Sequence, residues 1–319
     1  MTKVNNIKLN HFFNETLRDV DRKISDTIKD QQIRSLLDGG KRLRSLLAQL
    51  AFKTCTKGTE SQKQYHKSLE GTVSIELAHS ASLVHDDIID KDVMRRGKPS
   101  YYKKEGVGKA LLIGHKMLSE GFRIALSHGK DIAKLYVDSW NEVVNGEIDE
   151  VDFNKNGNNT YMSAKGQIFE AYNKIINMKT AALFSSACKA GALEADMAGD
   201  ILRVFADYGR EIGLAYQLAD DLVDLAQGEM IDSVIIPLLN RFENKQKVGV
   251  LNKREIKRLF AKNEDKIKKY YVNEIKKHVK KAEELSKSDI IPKSSYTELL
   301  VDAPAYIINR MLNEIKITI

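Results

Sequence analysis

The chain has 319 residues, 42% hydrophobic and 30% charged, with a net charge of +7. This balance supports a buried core and excludes disordered, collagen-like and disulfide-stapled classes. Its two cysteines, Cys55 and Cys188, lie in no CxxC or metal-ligand spacing, no apolar stretch follows Met1, and no run approaches the ~18 apolar residues of a membrane span, so the expectation is a soluble cytoplasmic protein with buried thiols.

Only four prolines occur, and Leu, Ile, Ala, Lys and Glu are abundant, which suits helices. From Asn6 to Leu37 apolar residues recur at three and four, predicting one or two helices that Gly39-Gly40 ends. Leu43 to Ala51 opens a new apolar helix, Thr56 to Gln64 reads as a polar loop, and Ser68 to Asp90 as a long apolar helix. Lys91 to Gly108 is rich in Gly, Pro and charge and reads as a loop. Helices follow over Ala110–Leu126 and Ile132–Asn145, then an acidic stretch over Gly146–Asp152 and a loop over Asn154–Asn159. Tyr161 to Leu193 predicts two helices around Lys179-Thr180, Asp200 to Leu225 one long helix, and Tyr296 to Ile315 the last. The basic excess lies between Lys245 and Lys293, where Ile256, Leu259, Phe260, Ile267, Tyr271, Ile275 and Val279 keep helical period. That segment reads as an amphipathic helix pair with solvated lysines; transient contact with an anionic membrane surface is the other reading, and no nucleic-acid motif accompanies the charge. With no strand alternation, repeat or linker, the expectation is all-α, a single domain over residues 1–319, in a bundle around a central cavity.

Two acidic motifs carry the chemistry. In Asp86-Asp87-Ile88-Ile89-Asp90, a continuing helix sets Asp86 and Asp90 side by side at i and i+4. Like charges there repel, and a hard divalent cation with oxygen ligands removes the repulsion. An exposed acidic turn would explain one such cluster; the second, Asp220-Asp221-Leu222-Val223-Asp224, also on an apolar helix, makes that reading poor. Two clusters across a cavity suit a diphosphate held through Mg²⁺. Cations to meet it are Arg95 and Arg96 on the following loop and Lys179 beside Thr180 in an apolar helix, with Gln217 one turn before Asp221. Gly39-Gly40-Lys41-Arg42-Leu43-Arg44 suggests a second anion site, where glycines admit a ligand to the backbone and Lys41 and Arg44 supply charge. His79, on the same face as Asp86, is either a ligand to that site or a hydrogen-bonded core histidine.

These pieces, in order and spacing, resemble the trans-isoprenyl diphosphate synthases, most of all those making geranylgeranyl or longer products. The resemblance runs from about residue 35 to 240 and rests on the GGKRLR run, on Glu76 to Asp90, on Arg95-Arg96-Gly97-Lys98-Pro99, on Lys179-Thr180 and on Gly213 to Asp224. It implies a Mg²⁺-dependent prenyltransferase of the isoprenoid-synthase bundle type, condensing isopentenyl diphosphate head to tail with an allylic diphosphate. It implies that Asp86, Asp90 and Asp220 hold Mg²⁺. Arg95, Lys179, Thr180 and Gln217 would meet the allylic diphosphate, and Lys41, Arg44, His79 and Arg96 isopentenyl diphosphate. It also implies a homodimer. The small residues Ala81 and Ser82 before the first motif, with Ala78 one turn below, imply a tail of twenty carbons or more.

The chain departs from the family pattern in three places. Ser45 replaces a usual proline, and His115 stands where an aspartate is common. The stretch from Leu225 to Leu239 is short and lacks the usual lysine, with Glu229 near its place. A weakly active or regulatory subunit of a heteromeric synthase is therefore the competing reading.

Overall fold

The computed structural model describes residues 3–160, 167–227 and 253–319. Its helices are α1 (Lys3–Thr27), α2 (Gln31–Leu37), α3 (Leu43–Thr56), α4 (Gln62–Ile89), α5 (Tyr101–Glu105), α6 (Val107–Ser127), α7 (Lys130–Thr160), α8 (Gln167–Ile176), α9 (Ala182–Glu194), α10 (Asp200–Gln227), α11 (Lys253–Ser286) and α12 (Ser295–Leu312). Among the described residues the fold is all-α, as expected, apart from one hairpin of two-residue strands, β1 (Met94–Arg95) and β2 (Lys98–Pro99).

Local chemistry sets the boundaries. The Asp30 carboxylate accepts from the Gln32 and Ile33 amides and starts α2. Ser61 and Gln64 form a reciprocal capping box, so α4 begins at Gln62 instead of Ser68 and the predicted loop shrinks to the α3–α4 turn. The hairpin turns through Arg96 and Gly97, with φ of 52° and 74°; two consecutive positive φ values match the twist of a tight hairpin. The loop expected at Asn154–Asn159 belongs to α7 instead. Asn and Gly cost a helix only about 0.5–1 kcal/mol each, and no proline removes an amide there. The basic helix pair is α11, two pieces meeting at Asn263, whose φ and ψ of −121° and 15° break the helix.

Among the described residues the core forms two clusters. Leu69, Val73, Leu77, Ala81 and Val84, one stripe of α4, pack with the end of α1, α2 and α6. Fully burying a Val or Leu contributes about 1.5–3 kcal/mol, so this stripe anchors α4 firmly. The larger cluster joins α3, α8, α9, α10, α11 and α12. There α3 and α9 touch backbone to backbone: a Cβ on Gly191 would stand 2.0 Å from the Ala48 carbonyl oxygen. Both thiols are buried and unpaired, and among the described residues no helix is long and apolar enough to cross a membrane.

Candidate active site

The first acidic motif closes α4 and the second closes α10, and both helices end on one cavity of about 390 Å³. Asp86, Asp90, Arg95, Lys179, Thr180, Gln217, Asp220, His79, Arg44 and Ser82 all line it. Asp221 and Asp224 join the second cluster, and Asp92 the first. Burial pushes the Asp86 carboxyl well above the usual range; Glu147, Asp90 and Glu150 push the same way, and Lys179 opposes them. Among the described residues no three such groups close into one ligand shell. The two clusters face each other across the cavity, all with oxygen donors, which is the donor chemistry of a hard divalent cation.

Lys179 and Thr180 sit in a π-helical turn, Asn177–Ala181, between α8 and α9. Such single-turn insertions re-aim side chains and recur at functional sites. Burial works against the Lys179 ammonium, but Glu150, Asp86 and Glu147 outweigh it and hold its pKa above the ordinary value. Its nitrogen is 2.6 Å from Glu147 and also pairs with Glu150, both on α7. Gly146 makes this possible, since a Cβ there would lie 2.7 Å from Met178 Cβ and 3.0 Å from the Lys179 nitrogen of the backbone. By composition this segment is simply an acidic stretch; the signal for the lysine's partners is the i, i+3 glutamate pair directly after a helical glycine.

A polar relay fixes the second motif. Thr180 Oγ1 donates to Gln217 Oε1 at 2.7 Å, and Gln217 Nε2 donates to Asp221 Oδ1 at 2.9 Å. The other Asp221 oxygen accepts from the buried Tyr172 hydroxyl. Burial pushes the Tyr172 hydroxyl well above its ordinary pKa, with Asp221 adding to the shift, so it stays a donor. Arg95 is held from one side by two carboxylates: Nε donates to Asp87 Oδ1 at 2.7 Å and Nη2 to Asp92 Oδ2 at 3.1 Å. Asp87 is buried and turned away from the cavity, so it orients Arg95 while Asp86 and Asp90 face inward.

Of the residues expected at a second anion site, Arg44 and His79 line this same cavity, whereas Arg96 does not. Arg44 leans on Phe184, its guanidinium carbon 4.5 Å from the ring centre, and its buried Nε has no hydrogen-bond partner. Burial pulls the Arg44 pKa down, partly offset by Tyr216, Glu76 and Asp220. His79 is held well below its ordinary pKa by burial and by Arg44, Arg96, Arg42 and Arg95. Arg96 folds over the glycine turn and donates to the Asp38 carbonyl at 2.7 Å. Lys41 is exposed beside that turn and does not line the cavity. Arg42 takes a structural part: it is buried with φ 52°, pairing with Asp21 at 2.9 Å and Glu76 at 3.1 Å. Ser45, the residue in place of proline, donates to the other Glu76 oxygen at 2.6 Å.

The three small residues part company. Ser82 lines the cavity, Ala78 lines a smaller space below it, and Ala81 is packed inside the α4–α6 cluster. His115 stacks edge-on against His85, ring centres 5.4 Å apart. The lysine-free stretch after Asp224 lies, from Gly228 onward, outside the described residues.

A family model described as polyprenyl synthetase matches residues 27–232. The geranylfarnesyl diphosphate synthase of Methanosarcina mazei is 28% identical over 59% of each chain, so this chain spans under two thirds of that relative. The octaprenyl diphosphate synthase of Haemophilus influenzae is 29% identical over 82% of each. Among solved structures, the geranylgeranyl pyrophosphate synthetase of Pyrococcus horikoshii superposes with a TM-score of 0.73 at 27% identity, covering 95% of this chain and 99% of that one.

Proposed function

The chain belongs to the polyprenyl synthetase family, and on that premise we propose that it joins isopentenyl diphosphate head to tail to an allylic diphosphate, giving an all-trans polyprenyl diphosphate of twenty carbons or more. The observation that carries this reading is the facing pair of aspartate clusters on one cavity, with two groups of cations beside them. Asp86, Asp90 and Asp220 would hold Mg²⁺, which when bound supplies Lewis-acid stabilisation of the leaving diphosphate.

The chain's own groups do the rest. Lys179 and Arg95, with Thr180 and Gln217, position the allylic diphosphate. Arg44, His79 and Arg96, with the exposed Lys41, position isopentenyl diphosphate. Val143, Ile175, Ile176 and Leu183 line the apolar part of the cavity and keep water from the reacting carbon. The allylic C–O bond breaks, the isopentenyl double bond forms the new C–C bond, and the departing diphosphate takes the released proton. Positioning and electrostatics account for catalysis, with no side-chain base required. The same reading includes a single cytoplasmic domain acting as a homodimer. It also includes transient contact of an anionic membrane surface with α11, supported by the exposed bases Arg258, Lys266, Lys269 and Lys276.

The test is incorporation of labelled isopentenyl diphosphate into farnesyl diphosphate by the purified chain. Turnover is expected with Mg²⁺, lost with chelator, and reduced at least 10²-fold by Asp86→Asn, which removes one charge from the cation's shell. Metal-independent turnover would overturn the reading. The alternative, a weak or regulatory subunit, is favoured by one observation: Lys179 is already claimed by Glu147 and Glu150. It predicts no turnover alone and recovery when an active partner chain is added.

A further inference from the structure

A prenyl tail has to leave the diphosphate cavity, and two spaces adjoin it. One follows α4 downward past Ala78, the direction in which the small residues at 78 and 82 point. It amounts to about 30 Å³ between α4, α7 and α9, walled by Trp140, Leu135, Tyr136 and Leu183. The other opens sideways between α4, α6 and α7 and holds about 350 Å³. It shares Ser82, Asp86 and Val143 with the diphosphate cavity. A cavity of about 150 Å³ admits one benzene. By that yardstick the axial space takes no isoprene unit, and the lateral one takes roughly two or three.

The junction suits such a turn. Ser82 is small, and its hydroxyl is tied back to the His79 carbonyl at 2.8 Å, so it presents little polarity to a passing chain. Beyond it the lateral walls are mostly apolar, with Ile88, Val144 and Val151 inside. Leu111 and Ile148, 41% and 53% exposed, form the outer rim. Trp140 is the wall common to both spaces. Its indole fills one wall of the axial space, beside Leu183, which also lines the diphosphate cavity, and it offers an apolar face to the lateral space.

We propose that the growing prenyl tail turns at Ser82 into the lateral chamber between α4, α6 and α7, and that Trp140 directs it there by closing the axial route. This rests on the prenyl-elongation reading above and names its specificity-determining residue. The lateral chamber opens at its rim, so tail length is set by how far the chain runs between α6 and α7 and not by a floor beneath Ala78.

The test compares product lengths from isopentenyl and farnesyl diphosphates, read by mass spectrometry after dephosphorylation. Val144→Phe, which fills the lateral chamber, is expected to cut the fraction of products beyond twenty carbons at least tenfold. Ala78→Phe, which fills the axial space, is expected to leave the distribution unchanged. In a Trp140→Ala background, where the axial route is open, Ala78→Phe is expected to shorten the product. Shortening by Ala78→Phe alone, with no effect of Val144→Phe, would overturn the routing. Leu111→Trp fills the same chamber from α6 if Val144→Phe fails to fold. A farnesyl diphosphate analogue with a benzophenone tail gives a readout independent of turnover. Adducts at the Leu111 and Ile148 rim support the lateral route, and adducts around Ala78 and Leu135 refute it. Should the chain turn over no primer yet label at the rim, elongation fails while the chamber assignment stands.

Discussion

His79 owes its state to its neighbours more than to its own chemistry. Burial and four arginines hold it neutral well below its ordinary pKa of 6.5. Above that pH, folded and unfolded chains carry the same neutral ring. Below it the unfolded chain takes up the proton first, so stability falls as pH drops from 6.5 toward the folded value. The expected slope is at most about 1.4 kcal/mol per pH unit. His79→Gln should flatten the melting temperature against pH below 6.5 and leave it unchanged above; an equal slope in both proteins would contradict this. Residues of this kind were only half legible in the sequence. Asp86 and Asp90 could be read as a pair because four residues is one helical turn. The two readings left open for His79, ligand or core, rest on arginines from α3 and the hairpin that no local pattern announces. Lys179 stands out in the sequence as a lysine in an apolar segment, yet its glutamate partners come from α7, packed directly against its turn.

The π turn between α8 and α9 is the element on which the site depends most. It occupies five residues, Asn177–Ala181, and α7 can close on it only because residue 146 has no side chain. Gly146→Ala brings a methyl group to 2.7 Å from Met178 Cβ, so the turn must shift and Lys179 with it. A displacement near 1 Å can cost about 10²-fold. That loss in kcat/KM is the expectation, with far-UV circular dichroism unchanged; full activity would show that the turn does not set the lysine. Helix types and order were legible because apolar spacing survives in α3, α4, α6 and α10. Boundaries were less so. The chain through Asn154–Asn159 is rich in residues that favour turns, but nothing there forbids a helix already running. A π turn has no sequence signature, since it changes hydrogen-bond register without changing composition.

At the scale of the whole molecule, α6 presents Leu112, Phe122 and Leu126 on one face, 70%, 39% and 58% exposed, and α7 presents Val137, 40% exposed. An apolar face of this kind on a charged protein marks an association surface. If the proposed homodimer forms through it, Leu112→Glu with Leu126→Glu is expected to halve the mass measured by light scattering. A mass unchanged by these substitutions would move the interface elsewhere. The sequence showed the apolar positions but not which of them remain uncovered, because coverage depends on how every other helix packs.

The two core clusters give the site a further property. Asp86 and Asp90 ride on the helix anchored in the α4–α6 cluster, with Arg95 on the hairpin that follows it, while Lys179, Thr180 and Asp220 belong to elements of the larger one. The groups proposed for catalysis are therefore carried by two core clusters that meet at a seam. A local opening confined to the smaller cluster would separate the aspartates of α4 from those of α10. Bound cation and diphosphate, bridging the seam, would act as the staple that joins the two clusters, so ligand and fold stabilise each other at the same place.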